Sequence, residues 1–267
     1  MKLNYRKIGS GHPLVILHGL YGSGDNWLSI GKSFSSFCEV IMLDQRNHGK
    51  SPHHEVHNYE VLMSDLKEFL DHQGITKAMI LGHSMGGKVA MRFAMEFPGM
   101  VTRMLVVDIS PASYLDDGDN RHLGVHEKII GAMQKVDLDN SVGLSGVQSQ
   151  LVDLLQDERL VRFLLKNLRK ETGEGYTWRL NLPVLRNSLR ALSDGLDIER
   201  LREMKISSFP ILFIRGEESR YIGEEDRVLI KELFPLSQMV TLKNTGHWLH
   251  AEQPDRFARI VKRFILS

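Results

Sequence analysis

The run Ala78-Met79-Ile80-Leu81-Gly82-His83-Ser84-Met85-Gly86-Gly87-Lys88 decides the fold. Its first four residues form an apolar block of strand length without in/out alternation, as expected of a strand buried on both faces. Met85, Val89, Ala90, Phe93, Ala94 and Phe97 then recur at helical spacing. A strand must therefore turn straight into a helix at Ser84. Glycines stand two residues before and two after the serine, where side chains would collide with neighbouring backbone in so tight a turn. A G-x-S-x-G turn of this kind pushes the serine hydroxyl out at the carboxyl end of a strand, beside a helix N-terminus whose dipole favours developing negative charge.

Outward from this turn, further apolar runs of strand length lie at Leu14 to Leu17, Val40 to Leu43, Met104 to Val107, Ile211 to Ile214 and Met239 to Leu242. Helical periods separate them: Tyr59, Leu62, Met63, Leu66, Phe69 and Leu70 form one, and Phe257, Ile260, Val261 and Phe264 form a last one entered through Pro254. Alternating strands and helices predict an α/β fold with a mainly parallel central sheet flanked by helices. The alternation fails between residues 111 and 204. That stretch shows no convincing strand and reads as helices, with Leu151, Leu154 and Leu155, then Leu160, Phe163, Leu164 and Leu168, then Leu185, Leu189 and Leu192 at helical spacing. The expected organisation is a core of residues 1–110 and 205–267, with a helical cap of residues 111–204 inserted after the strand that ends near Asp108. Leu115-Asp116-Asp117-Gly118-Asp119-Asn120 reads as an exposed, mobile entry to it.

Composition narrows the function classes. The 267 residues carry 34 Lys+Arg against 33 Asp+Glu, a formal charge of +1, so nothing in the overall charge gathers nucleic acid or an anionic membrane surface. The apolar runs are far shorter than the roughly 20 residues needed to span a bilayer. The N-terminal Met1-Lys2-Leu3-Asn4-Tyr5-Arg6-Lys7 lacks the apolar core of a secretion signal, and the single cysteine, Cys38, cannot form an internal disulfide. A cytoplasmic location is the expectation; the oligomeric state is left open.

A serine hydroxyl is a weak nucleophile at neutral pH, so a base must take its proton and a carboxylate must orient that base. Among twelve histidines, His247 stands out. It lies in Asn244-Thr245-Gly246-His247-Trp248, just past the last strand, which returns it to the same sheet edge as Ser84; His250 is the nearby competitor. The carboxylate is expected between Ser84 and His247 in chain order. Asp108, ending the fourth strand in Val106-Val107-Asp108-Ile109-Ser110-Pro111, fits that place. The oxyanion needs backbone N–H donors: Met85, directly after the nucleophile, and Leu20, in the glycine-rich loop His18-Gly19-Leu20-Tyr21-Gly22-Ser23-Gly24. Tyr21, Trp178, Leu182, Leu185 and Trp248 are candidate substrate-pocket residues.

These residues resemble the α/β-hydrolase superfamily over essentially the whole chain. Asp44-Gln45-Arg46-Asn47-His48-Gly49-Lys50-Ser51-Pro52, Gly82 to Lys88 and Val107-Asp108-Ile109-Ser110-Pro111 are similar to the branch that holds YbfF-type esterases and animal abhydrolase-domain-11 proteins. Trp178-Arg179-Leu180-Asn181-Leu182 is similar to a cap-helix motif of that branch. The resemblance implies a hydrolase of carboxylic esters or thioesters, needing no metal or organic cofactor. It also bears on the acid. Much of the superfamily carries it in a Gly-x-x-Asp turn after the next-to-last strand, but here that turn is Gly216-Glu217-Glu218-Ser219. The departure points to Asp108, with Glu218, one residue out of register, as the weaker candidate.

Other signals read as structural. His48-Gly49-Lys50-Ser51 ends like a phosphate-binding loop, but Asp44 stands where its first glycine belongs. His53, His54, Glu55 and His57 miss the H-E-x-x-H zinc spacing by one residue and read as an exposed polar loop. Cys38 reads as a small packing residue, His83 as a brace for the serine turn, and Lys88 as stabilising. Two rival readings keep the same fold: a cap-gated small-molecule receptor, and an acyltransferase in which another hydroxyl replaces water.

Overall fold

The computed structural model describes residues 1–115, 121–138, 143–171 and 175–267. Most of the acidic run read as the entry to the insertion, residues 116–120, lies outside the described residues. Nine strands are present: β1 (Tyr5–Ile8), β2 (Pro13–Leu17), β3 (Glu39–Leu43), β4 (Ala78–His83), β5 (Val101–Val107), β6 (Leu168–Lys170), β7 (Tyr176–Trp178), β8 (Ile211–Gly216) and β9 (Ser237–Leu242), counted among the described residues. Seven form one sheet in the order β1-β3-β2-β4-β5-β8-β9, parallel except for β1, which pairs antiparallel with β3. The chain therefore has the α/β-hydrolase fold that its serine turn and strand order imply.

Neighbouring residues of each central strand face opposite sides, and both sides are apolar. Val15, Leu17, Ile80, Met104, Val106 and Phe213 join one cluster, with α2 (Tyr59–His72), α3 (Met85–Glu96) and α9 (Glu224–Leu233) packed on it. Leu14, Ile16, Met79, Leu81, Leu105, Val107 and Leu212 join the other, under α1 (Leu28–Phe34) and α11 (Pro254–Leu266). Burial on two faces is why these strands show no polar alternation. β1 is the counter-case: Tyr5, Arg6 and Lys7 are exposed at the sheet edge, so no apolar run announces it.

Between β5 and β8 lie α4 (Arg121–Lys135), α5 (Leu144–Leu155), α6 (Glu158–Leu164), α7 (Leu182–Ser193) and α8 (Ile198–Met204). Ile130, Met133, Val147, Leu151, Val161, Leu164 and Leu185 form the insertion's own cluster, which Tyr21 joins from the loop after β2. Leu192, Leu196 and Leu201 pack instead into the sheet-side cluster, so α8 lies with the core layer although its residues fall within 111–204. The stretch also holds a strand pair that its helical reading omits: β6 and β7 are antiparallel, with Leu168 opposite Trp178. Three residues each on a half-exposed surface are too few to leave a period in the sequence. The segment Trp178 to Leu182 is accordingly a strand end, a turn and the first residue of α7, not one helix.

Candidate active site

The turn at Ser84 is as tight as its glycines require. A Cβ on Gly82 would lie 2.1 Å from the Gly86 carbonyl oxygen, and one on Gly86 would lie 2.4 Å from that of Leu17. Ser84 has φ +52° and ψ −120°, a backbone conformation costly for a residue with a side chain and held here by the surrounding structure. Its N–H donates to the Val107 carbonyl at 2.9 Å, fixing the turn to the end of β5.

That neighbouring strand end delivers Asp108, fully buried and also at positive φ, +53°. Its N–H donates to the Ile214 carbonyl at 2.8 Å, and Oδ1 accepts from the Gly216 N–H at 2.9 Å. Oδ2 accepts from His247 Nδ1 at 2.8 Å and from the Ser219 hydroxyl. A carboxylate on Nδ1 sets the imidazole tautomer and leaves Nε2 free to take a proton. The Gly216-to-Ser219 turn thus supplies hydrogen bonds to the Asp108 carboxylate. Glu218 is exposed, its N–H donating to the Thr245 carbonyl at 2.9 Å, and the described carboxylate on His247 is that of Asp108.

His247 is tied to the serine turn from behind. The buried His83 ring donates from Nε2 to the His247 carbonyl at 2.9 Å, and the two rings lie 4.8 Å apart. Tyr221 also stacks on His247, with ring centroids 4.0 Å apart. His250 is buried, stacked on Trp27 at 4.2 Å, and held neutral by burial at a pKa of about 3, which suits packing and not proton shuttling near pH 7.

Leu20 and Met85 line one cavity with Ser84. The Gly19 carbonyl accepts from the Gly22 N–H at 2.9 Å and pairs with His18 Nδ1 at 2.8 Å. In a trans peptide the next N–H points opposite to the carbonyl, so these two bonds also fix where the Leu20 N–H points. Tyr21, at φ +64°, donates its N–H to His48 Nε2 at 3.3 Å.

The cavity is small, about 30 Å³. Its lining differs from the five side chains expected to line a substrate pocket. Leu189, Leu192 and Ser193 from the end of α7, His122 and His126 from α4, and Tyr59, Ile109, Tyr114 and Tyr221 surround Ser84. None of the five expected side chains is among them. Leu182 and Leu185 are buried in the insertion's cluster, Trp178 donates its indole N–H to the Met133 carbonyl at 3.0 Å, and Tyr21 is buried with its hydroxyl 3.3 Å from His126 Nδ1. Trp248 packs on Phe163 and lines a separate cleft with Arg159 and Arg162. Leu189 and Leu192 belong to the same leucine stripe as Leu185, one and two turns nearer the sheet. The periodicity showed the stripe, but not which end of it meets Ser84.

The look-alike motifs resolve into scaffolding. Asp44 accepts from the Gly24 N–H at 2.7 Å and the Lys50 N–H at 2.9 Å, organising the turn that mimics a phosphate loop. Arg46 and Asp65 form a buried two-bond pair at 2.6 and 2.8 Å. His53, His54 and Glu55 are exposed, but His57 is buried, its ring 5.5 Å from that of His48, which corrects the exposed-loop reading at that residue. Cys38 is buried in the core.

The family model described as "alpha/beta hydrolase fold" matches residues 12–254. A Danio rerio protein named sn-1-specific diacylglycerol lipase ABHD11 is 36% identical over 263 residues, 96% of this chain and 79% of its own length. Esterase YbfF of Escherichia coli is 32% identical over 270 residues, 99% of both chains. A solved structure titled marine microorganism esterase has a TM-score of 0.91 and 39% identity, covering 98% of this chain and 99% of its own. The chain belongs to the α/β-hydrolase family, in the company of relatives named esterases and lipases.

Proposed function

We propose that the chain is a serine hydrolase that cleaves carboxylic esters or thioesters of small to medium acyl groups through an acyl-serine intermediate. One observation carries the reading: the buried Asp108 carboxylate holds His247 Nδ1 at 2.8 Å, at the sheet edge where Ser84 sits on a strained turn.

In the first step His247 Nε2 takes the Ser84 hydroxyl proton as Oγ bonds to the acyl carbon, and the carbonyl electron pair moves onto oxygen. The Leu20 and Met85 N–H groups hold that oxyanion. Collapse breaks the bond to the leaving oxygen or sulfur, which takes the proton from His247. Water then gives a proton to His247 and attacks the acyl carbon, and Ser84 departs with the proton restored. Asp108 keeps its charge throughout and stabilises the imidazolium. The apolar lining by Ile109, Leu189 and Leu192 suits an alkyl acyl chain.

A fluorophosphonate tests the reading directly. Labelling at Ser84, lost in Ser84→Ala, with turnover of p-nitrophenyl esters or acyl thioesters is the expected result. A folded protein that is neither labelled nor active, yet melts higher with a small ligand, would favour the receptor alternative. Ester product formed in the presence of added alcohol would favour acyl transfer.

A further inference from the structure

Lys88 is a buried cation that the proposed chemistry leaves unused. It lies on α3, one turn beyond Ser84, with no exposed surface. Its Nζ donates to the Ala112 carbonyl at 2.9 Å and to the Asp194 carbonyl, and sits 4.7 Å from the Tyr114 ring centre and 5.7 Å from that of Tyr59. Ala112 is where the chain leaves the sheet for the insertion; Asp194 is where it returns from α7. The two passages are zipped together. The Tyr114 N–H donates to the Ser193 carbonyl and the Leu196 N–H to that of Pro111, both at 2.8 Å. The closeness is such that a Cβ on Gly195 would lie 2.7 Å from the Ser113 nitrogen. Burying an ammonium is costly, and an apolar side chain would fill the same space without that cost. The donors are what an apolar side chain lacks.

We propose that Lys88 is a positioning residue that pins both ends of the insertion to the helix carrying Ser84, and thereby sets the acyl end of the cavity. The link to substrate is direct, because Tyr59, Tyr114, Leu192 and Ser193 flank this neck and line the cavity. The proposal rests on Ser84 being the nucleophile.

The groups facing the Lys88 amine are Tyr59 from α2, Tyr114 on the outgoing passage, Asp194 on the returning one and Asp226 from α9. Burial pulls the amine from its usual 10.5 down to about 7, with Asp194 and Asp226 opposing the shift. Opening the neck would return the amine to water and to its usual value. Protonation therefore favours the open neck, and the closed neck gains stability as pH rises above about 7. The neutral amine still has two N–H donors for the two carbonyls.

The test combines one variant with one measurement on the unmodified chain. In Lys88→Met, fluorophosphonate labelling of Ser84 should persist. KM for p-nitrophenyl octanoate should rise about tenfold, while KM for the acetate and both kcat values change less. Amide hydrogens of Tyr114 and Leu196 should lose about tenfold in exchange protection relative to those of β5. In the wild-type chain, with intrinsic exchange rates corrected, the same two amides should gain protection relative to β5 between pH 6.5 and 9; this arm decides if Lys88→Met does not fold. Octanoate KM and neck protection that stay unchanged in the variant, or protection in the wild type that is flat with pH, would overturn the proposal. A wild-type chain that resists labelling would instead defeat the assignment of Ser84, while the exchange arms would still report on the pin.

Discussion

The carboxyl edge of the sheet and the insertion above it are built by different means. At the edge, backbone fixes the proposed catalytic groups: Ser84 N–H on Val107, Asp108 N–H on Ile214, Gly216 N–H on Asp108, and the His247 carbonyl on His83. The insertion's cluster is held mainly by packed side chains such as Ile130, Val147, Leu151, Leu164 and Leu185. Bond-making tolerates errors of a fraction of an ångström, and strained backbone delivers that accuracy. Apolar packing tolerates many combinations of similar volume. Chemistry should accordingly fail sharply when the edge is altered, and selectivity should drift when the insertion is.

The largest effect expected is that of Ser84→Ala, which should lower kcat on p-nitrophenyl esters by something on the order of 10⁶. Next, Asp108→Asn should lower kcat by about 10⁴ by losing control of the His247 tautomer, whereas Glu218→Gln, on an exposed side chain, should change it less than about twofold. The reverse outcome, measured on the same ester, would move the acid to Glu218 and break the contrast between backbone-fixed and freely placed groups.

The same contrast explains what could be read in advance. The serine turn was legible because its glycines answer to backbone collisions near 2 Å that no other residue escapes. The central strands were legible because both faces are apolar. That Asp108 and His247 reach one sheet edge followed from their places after strands, but the bonds from Ser219 and His83 needed coordinates, since neither residue is near its partner in the sequence. β1 was missed because an exposed edge strand needs no apolar run. The lining of the cavity beside Ser84 was not legible because a leucine stripe records that a helix buries one face, without saying which turn meets the serine. Tyr59, Tyr221, His122 and His126 reach the cavity from three distant segments, and nothing local marks them.

A third prediction, smaller per residue, concerns acid. Burial holds His18 at about 4, His48 at about 3, His57 at about 2 and His250 at about 3, and lowers His83 as well. These five sit in the core layer; His126, on α4 of the insertion, is lowered by burial to about 4 as well. An unfolded histidine titrates near 6.5, so below that pH the unfolded chain binds protons that the native chain refuses. Stability is therefore full above about pH 6.5 and falls as pH drops from there, down to about 4 for the share of His18 and to about 2 for that of His57. At pH 5 each such histidine should shift the folding equilibrium about 30-fold, or about 2 kcal/mol. Melting temperature should drop steeply between pH 6.5 and 5. His57→Phe should move the drop to lower pH, because it removes a buried ring whose Nε2 has no partner. A melting temperature flat over that range would contradict the neutral buried histidines.

The smallest expected effect on turnover separates the two ends of the leucine stripe. Leu192→Ala removes a side chain that lines the cavity, so it should move the preferred acyl chain longer, changing the octanoate-to-acetate ratio of kcat/KM by about 5-fold, about the 1 kcal/mol that a single apolar pocket contact commands. Leu185→Ala empties space in the insertion's cluster, at a side chain that does not line the cavity. It should cost about 2–5 kcal/mol of stability by denaturant unfolding and leave that ratio within about twofold. If Leu185→Ala shifted selectivity as much as Leu192→Ala, the insertion would transmit its packing to the cavity as a unit, and the division between a packed cluster and a cavity-lining rim would have to be given up.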